Sequence, residues 1–294
     1  MKIVKFKGGL GNQLFQYSFL RALQLKYKCD NVKADFSYYT NVKNDSVRIP
    51  RILKLNVKFN LVTEHELSNF FFIKHTGNPM SLVYKSRIIF EKMLNRKYYF
   101  EMNREYRNVK KMFKYDYLDG YWQSWRYMNG IEHIIRKELT LKKDFSERTE
   151  VIIDGIKNQN AVFIGIRRGD YLSTSRNRKH FGNLNIDYYY KSIEFMKKHV
   201  ENPIFYIFSN DIDWVKQNMK FDCNVIFRDD EYQTSDVEEL FIMQACKHAI
   251  IVNSTFYWWG AWLINNVDKI VIAPKKWFAD EKPIDIIPDS WIKM

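Results

Sequence analysis

The sequence predicts an α/β protein of two domains, the second of them a doubly wound parallel sheet of Rossmann-like type. Three observations lead there. Short β-branched and aromatic runs alternate with helix-length segments from about residue 161 to residue 273, the pattern of a parallel sheet with crossover helices. Three of these runs end in polar clusters, Arg167/Arg168/Asp170, Ser209/Asn210/Asp211 and Asn253/Ser254/Thr255, and in an open α/β sheet the carboxyl edge is where ligands bind. The chain also opens on a strand, a glycine turn and a helix, so the first half has an α/β beginning of its own.

Taken in order, Ile3 to Phe6 reads as a strand, Gly8-Gly9-Leu10-Gly11 as a turn, and Asn12 onward as a helix burying Phe15, Phe19 and Leu23. Gly9 and Gly11 have Gly-x-Gly spacing, and Asp30 or Asp35 follows at the distance of a dinucleotide-binding acid. That fingerprint fails where its third glycine should stand, because Leu14 is there. Residues 40–115 are basic, aromatic and poorly periodic; only the apolar run Phe70 to Ile73 and a helix-like Ile88 to Leu94 stand out. Gly120-Tyr121-Trp122-Gln123-Ser124 sets flat rings beside hydrogen-bonding groups, which suits a sugar-binding surface and equally suits a core. A helix from Met128 to about Leu139 leads into the polar Thr140 to Asp144, the expected inter-domain connection, so the domains are expected at 1–145 and 146–294.

The second domain starts with a helix over about Ser146 to Lys157 and a buried strand that ends in Arg167 and Arg168. The basic loop Ser173 to Lys179 follows, then a helix from Asp187 to Val200 and a strand from Ile204 to Phe208. A helix opening at Asn210-Asp211-Ile212-Asp213, the strand Val225 to Phe227 and a helix announced by the capping box Ser235-x-x-Glu238 continue the alternation. The strand Ala249 to Val252, a heavily aromatic helix from Ser254 and the strand Ile270 to Ala273 complete it. Trp258 and Trp262 lie one helical turn apart and fit one buried face.

Composition narrows the function. A chain of 294 residues is long for one core, and 46% apolar with 17% aromatic content marks a globular protein. The formal charge of +13 points to a polyanionic partner, whether a phosphorylated ligand or an anionic membrane surface met peripherally. The lysines are spread along the chain without the concentrated block of a nucleic-acid arm, so no nucleic-acid partner is expected. Three widely spaced cysteines, Cys29, Cys223 and Cys246, offer neither a disulfide framework nor a Cys-x-x-Cys metal site. With no apolar run of signal-peptide or membrane-spanning length, a cytoplasmic location is expected.

The polar clusters carry the chemistry. Two guanidiniums at a strand end supply permanent charge and planar donor forks suited to a diphosphate, and Gly169 lets the backbone turn close to it. Hydroxyls at Ser254 and Thr255 open a helix, where phosphate binds well and where an N-cap is also at home. Asp211-Ile212-Asp213 has the Asp-x-Asp spacing of metal-dependent sugar transferases, but its place at a helix opening accounts for the acids without a metal.

Five segments in order resemble the bacterial α-1,2-fucosyltransferases of glycosyltransferase family 11. They are Gly-Gly-Leu-Gly-Asn-Gln-Leu-Phe-Gln-Tyr at 8–17, Gly-Tyr-Trp-Gln-Ser at 120–124, Arg-Arg-Gly-Asp-Tyr at 167–171, Phe-Ser-Asn-Asp at 208–211 and Asn-Ser-Thr-Phe-Tyr-Trp-Trp-Gly-Ala-Trp at 253–262. The resemblance implies a GT-B-like architecture in which the second domain binds GDP-β-L-fucose and the first binds a galactose-type acceptor. It implies inverting transfer with no cofactor or metal, the GDP-sugar being a substrate. On that resemblance Arg167 clamps the β-phosphate, Arg168 and Asp170 order the site, and Asn12 lies near the reacting centre. Gly9, Gly11, Ser209, Asn210, Asp211, Asn253, Ser254 and Thr255 belong to the GDP-sugar side, and Tyr121, Trp122 and Gln123 to the acceptor side. The chain departs from the family at Gly165, where a histidine is usual, at Asn210 in place of an acid, and at Trp125 where an acid is common. The incoming hydroxyl must lose a proton; Asp35, Asp119 and Asp170 are the candidate bases, with His180 a further loop group.

Overall fold

The computed structural model describes residues 1–40, 50–71, 82–94, 97–101, 105–168, 185–228, 235–278 and 285–294. Two units emerge: Met1–Lys142 with Ile284–Ile286, and Lys143–Pro283 with Ile287–Met294. The break falls three residues before the expected one, and a short C-terminal return to the first unit was not legible in the sequence. Asp285 explains that return: its carboxylate accepts the Tyr106 N–H at 3.1 Å and pairs with Arg126 at 3.1 Å, while its carbonyl accepts the Trp125 N–H at 3.3 Å.

The first unit is built on β1 (Lys2–Lys5), α1 (Leu10–Tyr27), β2 (Val32–Asp35), α2 (Ser37–Thr40), β3 (Asn60–Leu61), α3 (Glu64–Phe70), α4 (Leu82–Leu94), β4 (Tyr98–Phe100), β5 (Tyr117–Asp119) and α5 (Glu132–Glu138). Its strands form a parallel sheet in the order β3-β2-β1-β5-β4. α1 begins two residues earlier than the glycine pattern predicts, because Gly9 takes the extended N-cap position and its carbonyl accepts from the N–H groups of Asn12 and Gln13. Phe15, Phe19 and Leu23 are fully buried on it, as the periodicity requires. The helix expected from Met128 is shorter. A 3-10 turn at Trp125–Tyr127 comes first, and Gly130 at φ +80° stops any helix from running through it, so α5 starts at Glu132.

The second unit contains α6 (Glu147–Lys157), β6 (Ala161–Ile166), α7 (Ile186–His199), β7 (Ile204–Ser209), α8 (Ile212–Asn218), β8 (Val225–Phe227), α9 (Asp236–Ala245), β9 (His248–Ile250), α10 (Thr255–Leu263), β10 (Val271–Ala273) and β11 (Ile292–Lys293). All pairings in its sheet, ordered β11-β10-β9-β6-β7-β8, are parallel. The sheet is covered on both faces. Val162, Ile164 and Ile166 pack with Tyr189, Ile193 and Met196 of α7 and Val215 of α8, while the alternate position Gly165 faces Tyr257 of α10. The doubly wound reading therefore holds for this unit, and two α/β units on parallel sheets match the two-domain fold class expected.

Local chemistry sets the helix ends. The Ser235/Glu238 capping box forms in both directions at the start of α9. Ser254 is the N-cap residue of α10, although its side chain makes no capping bond. At the far end of α10, Lys269 Nζ donates to the carbonyls of Ala261, Trp262 and Ile264, which satisfies groups the helix leaves open. Trp258 and Trp259 are fully buried and Trp262 nearly so, as expected for packing residues. Among the described residues no helix is long and apolar enough to cross a membrane.

Candidate active site

Each unit carries its own polar cluster at the carboxyl edge of its sheet. In the second, three neighbouring strands supply it. β6 lies between β7 and β9, with Ile166 in register with Ser209 and Ile164 with Ile250, so Arg167 and Arg168 leave the sheet between Ser209-Asn210 and the segment leading to Asn253. The side chain of Asn210 ties two of the clusters together, its Oδ1 accepting from the Arg168 N–H at 2.9 Å. The Arg168 guanidinium lies over the Trp214 ring, Cζ 3.4 Å from its centroid, and its Nε is buried without a hydrogen-bond partner. Among the described residues no carboxylate pairs with it, and its charge lies against an aromatic face.

The neighbouring groups divide between structure and availability. Ser209 Oγ accepts from the Asp211 N–H at 3.0 Å, and Asp211 is the N-cap residue of α8, its carboxylate facing the Trp214 N–H at 3.4 Å. Asp211 thus has the capping role read from its place at a helix opening. Asn253 donates from Nδ2 to the Trp277 carbonyl at 3.0 Å, fixing the turn before α10.

Gly165 has a physical reason to lack a side chain. A Cβ there would lie 2.4 Å from Cγ of Tyr257, whose ring occupies that space. The Tyr257 hydroxyl donates to the carbonyls of Ile166 at 3.4 Å and Phe208 at 3.3 Å, the residues just before Arg167 and Ser209. Tyr257 and Trp214 brace these strand ends, and neither had a role read from the sequence, although Tyr257 lies within the 253–262 segment. The signal for Tyr257 was the departure at Gly165, legible only once its neighbour is known.

In the first unit the glycine turn after β1 is held from several sides. Gly8 adopts φ +83°, and a Cβ on it would come within 2.6 Å of Asn12 Nδ2, so the turn needs glycine there. Its carbonyl accepts from Gln13 Nε2 at 3.1 Å and from the Tyr39 hydroxyl at 2.9 Å. Gln16 braces the turn from below, accepting the Lys7 N–H at 3.0 Å and donating to the carbonyls of Lys7 and Gly120. Gly9 has open space where a Cβ would stand, which leaves the backbone at the start of α1 approachable, while Gly11 is buried in the first helical turn. Asn12 Oδ1 accepts from Gln123 Nε2 at 2.8 Å, so these two expected site residues meet.

The Gly120–Gln123 turn is anchored by Glu101. Its Oε2 accepts from the Tyr121 N–H at 2.6 Å and the Trp122 N–H at 3.2 Å, two successive amides gathered around one carboxylate. Burial raises the Glu101 pKa, against the lowering effect of those amides and of Lys7. Trp122 corrects the acceptor assignment. It has φ +54°, is fully buried and stacks on Phe19 with ring centroids 3.9 Å apart, so it offers no face to a sugar. Tyr121 is only partly buried, and Lys7 Nζ sits 4.6 Å from its ring centroid.

Two candidate bases are closed off. Asp119 is buried between Lys5 at 3.4 Å and Lys7 at 2.5 Å and accepts from the Tyr98 hydroxyl; burial acts to raise its pKa, but the two ammonium groups hold it well below the usual carboxylate range. Asp35 is buried and engaged by the Tyr117 hydroxyl and by the N–H and hydroxyl of Ser37. Gly169, Asp170, Tyr171, the Ser173–Lys179 loop and His180 lie outside the described residues.

Comparison with known proteins was consistent across the chain. The profile described as "Glycosyl transferase family 11" matches residues 1–294. An O-antigen biosynthesis glycosyltransferase, WbnK, of Escherichia coli is 31% identical over 300 residues, covering 98% of this chain and 98% of that protein. An alpha-1,2-colitosyltransferase of Escherichia coli is 30% identical over 302 residues, covering 99% and 98%. The galactoside alpha-(1,2)-fucosyltransferase 2 of Pongo pygmaeus is 27% identical over 180 residues, covering 58% of this chain and 51% of that protein.

Proposed function

The chain belongs to glycosyltransferase family 11, and from that premise we propose that it moves L-fucose from GDP-β-L-fucose to the 2-hydroxyl of a terminal galactose-type sugar, with inversion and without a metal. The observation that carries this reading is the arginine pair at the end of β6, with the Arg168 guanidinium over the Trp214 ring and its backbone N–H bonded to Asn210. Breaking the sugar–phosphate bond builds negative charge on the departing diphosphate. Cations fixed in advance stabilise that charge more in the transition state than in the ground state.

Arg167 clamps the β-phosphate, Arg168 and Asp170 order the site, and Ser209, Asn210, Asn253, Ser254 and Thr255 surround the nucleotide. In the first unit Asn12 and Gln123, joined by their hydrogen bond, present amide groups to the acceptor with Tyr121 beside them. Gly9 keeps the start of α1 open to an anionic group, with Gly11 buried in the turn behind it. The charge of +13 fits acceptors carried on an anionic membrane, met peripherally in the cytoplasm during surface polysaccharide synthesis.

A thermal-shift series with GDP, UDP, ADP and CMP tests the nucleotide, with stabilisation by GDP expected and stabilisation by UDP alone overturning it. Transfer to a soluble β-galactoside with GDP-fucose, retained in excess EDTA and yielding an α-linked product by its anomeric NMR coupling, tests the reaction. Arg167→Ala is expected to lower kcat by about 10²–10³-fold.

A further inference from the structure

α4 is an amphipathic helix turned the wrong way for a soluble surface. Of the thirteen large apolar side chains exposed among the described residues, six lie on this one helix: Leu82, Val83, Ile89, Phe90, Met93 and Leu94, between 52% and 83% exposed. Isolated exposed apolar residues are ordinary, whereas a contiguous group on one element marks a contact surface. At 100° per residue these six positions, with Ser86 among them, fall within an arc of about 140°. Glu91, the helix's lone acid, is fully buried on the opposite side.

Charge selects the occupant. Lys85 and Lys92 occupy positions along one border of the apolar arc, Arg87 a position at the other, and Arg96 and Lys97 follow Asn95 just past the helix in sequence. An apolar stripe bordered by cations on both sides, with no exposed acid on the helix, is the pattern that lies in the headgroup layer of an anionic bilayer. We propose that α4 docks the protein onto anionic lipid, its apolar arc entering the acyl boundary and its bordering lysines and arginine meeting lipid phosphates. The proposal rests on the reading of a glycan acceptor carried at a membrane and names the surface that meets it. A second copy of the chain is the rival occupant, but that would bring the same cations of two helices together.

The test is flotation of the full chain with phosphatidylcholine vesicles, with and without a third of phosphatidylglycerol. Binding to the anionic vesicles is expected to exceed binding to the neutral ones by about tenfold or more at low salt. The triple variant Ile89→Gln, Phe90→Gln, Met93→Gln is expected to lose at least about tenfold of that binding, and Lys85→Glu with Lys92→Glu a similar amount. Both variants should keep the wild-type melting temperature and rate on a soluble galactoside, since Ile89, Phe90 and Met93 are exposed and none of the five substituted residues belongs to the proposed site. The proposal is overturned if wild-type protein fails to float, if the triple variant floats as wild type does, or if sedimentation shows a wild-type dimer that this variant turns into a monomer. Failure of transfer to the soluble galactoside would sink the catalytic reading instead, leaving the vesicle result to stand separately.

Discussion

Arg168 shows how a single side chain is made ready for a ligand. Its guanidinium lies over the Trp214 ring, Cζ 3.4 Å from the centroid, and its backbone N–H is fixed by Asn210. Arg168→Lys keeps the charge but loses the planar stack, and Trp214→Ala removes the platform; each is expected to cut kcat by about tenfold or more, with Trp214→Phe close to wild type. Steady-state kinetics with GDP-fucose separates these outcomes. Gly165→Ala is expected to lower stability by about 1–3 kcal/mol, because the new methyl meets the Tyr257 ring and the ring is held by two strand-end carbonyls. Thermal unfolding measures it. The arginines were singled out by their residue type at a strand end, and Asn12 by the family resemblance alone. Trp214, Tyr257 and Glu101 were not, because each acts through a neighbour that only the fold supplies.

At the scale of elements, legibility followed length. The six-residue strands β6 and β7 and the fourteen-residue α7 carry enough positions to show a period, and their expected and observed bounds agree within one or two residues. β3, with two residues, and β4, with three, show no alternation, so the region from 40 to 115 gave no strand pattern. The Gly120–Gln123 turn misled for another reason: aromatic and polar residues in alternation describe a sugar platform and a core turn equally well. Trp122→Ala is expected to cost about 3–5 kcal/mol in stability, while Trp122→Phe, which keeps a ring against Phe19, should leave the acceptor KM unchanged. A raised acceptor KM in Trp122→Phe with an unaltered melting temperature would return this residue to the acceptor site.

Across the whole molecule the strong positive balance is tempered by a few buried acids, of which Asp119 is the clearest. Its pKa is depressed in the folded protein by Lys5 and Lys7 below the ordinary aspartate value of 3.8, so its stabilising contribution is complete above that value and fades as pH falls through the folded one. The melting temperature is therefore expected to drop below about pH 4. Asp119→Asn should cost about 3–5 kcal/mol at neutral pH by removing the buried carboxylate that Lys5 and Lys7 share. Its loss relative to wild type should narrow on acidification, which differential scanning fluorimetry across pH 7 to 3 would reveal.

The return of Ile284–Ile286 bears on biosynthesis. Translation is vectorial, so the amides of Tyr106 and Trp125 and the guanidinium of Arg126 stay hydrated until Asp285 has been made, about 160 residues after Arg126. The unit begun first is thus not closed until most of the second has been made. A nascent chain stalled or cleaved shortly before Asp285 would hold nearly every element yet lack the clasp that closes its earliest part, and such a fragment should be the preferred prey of proteases.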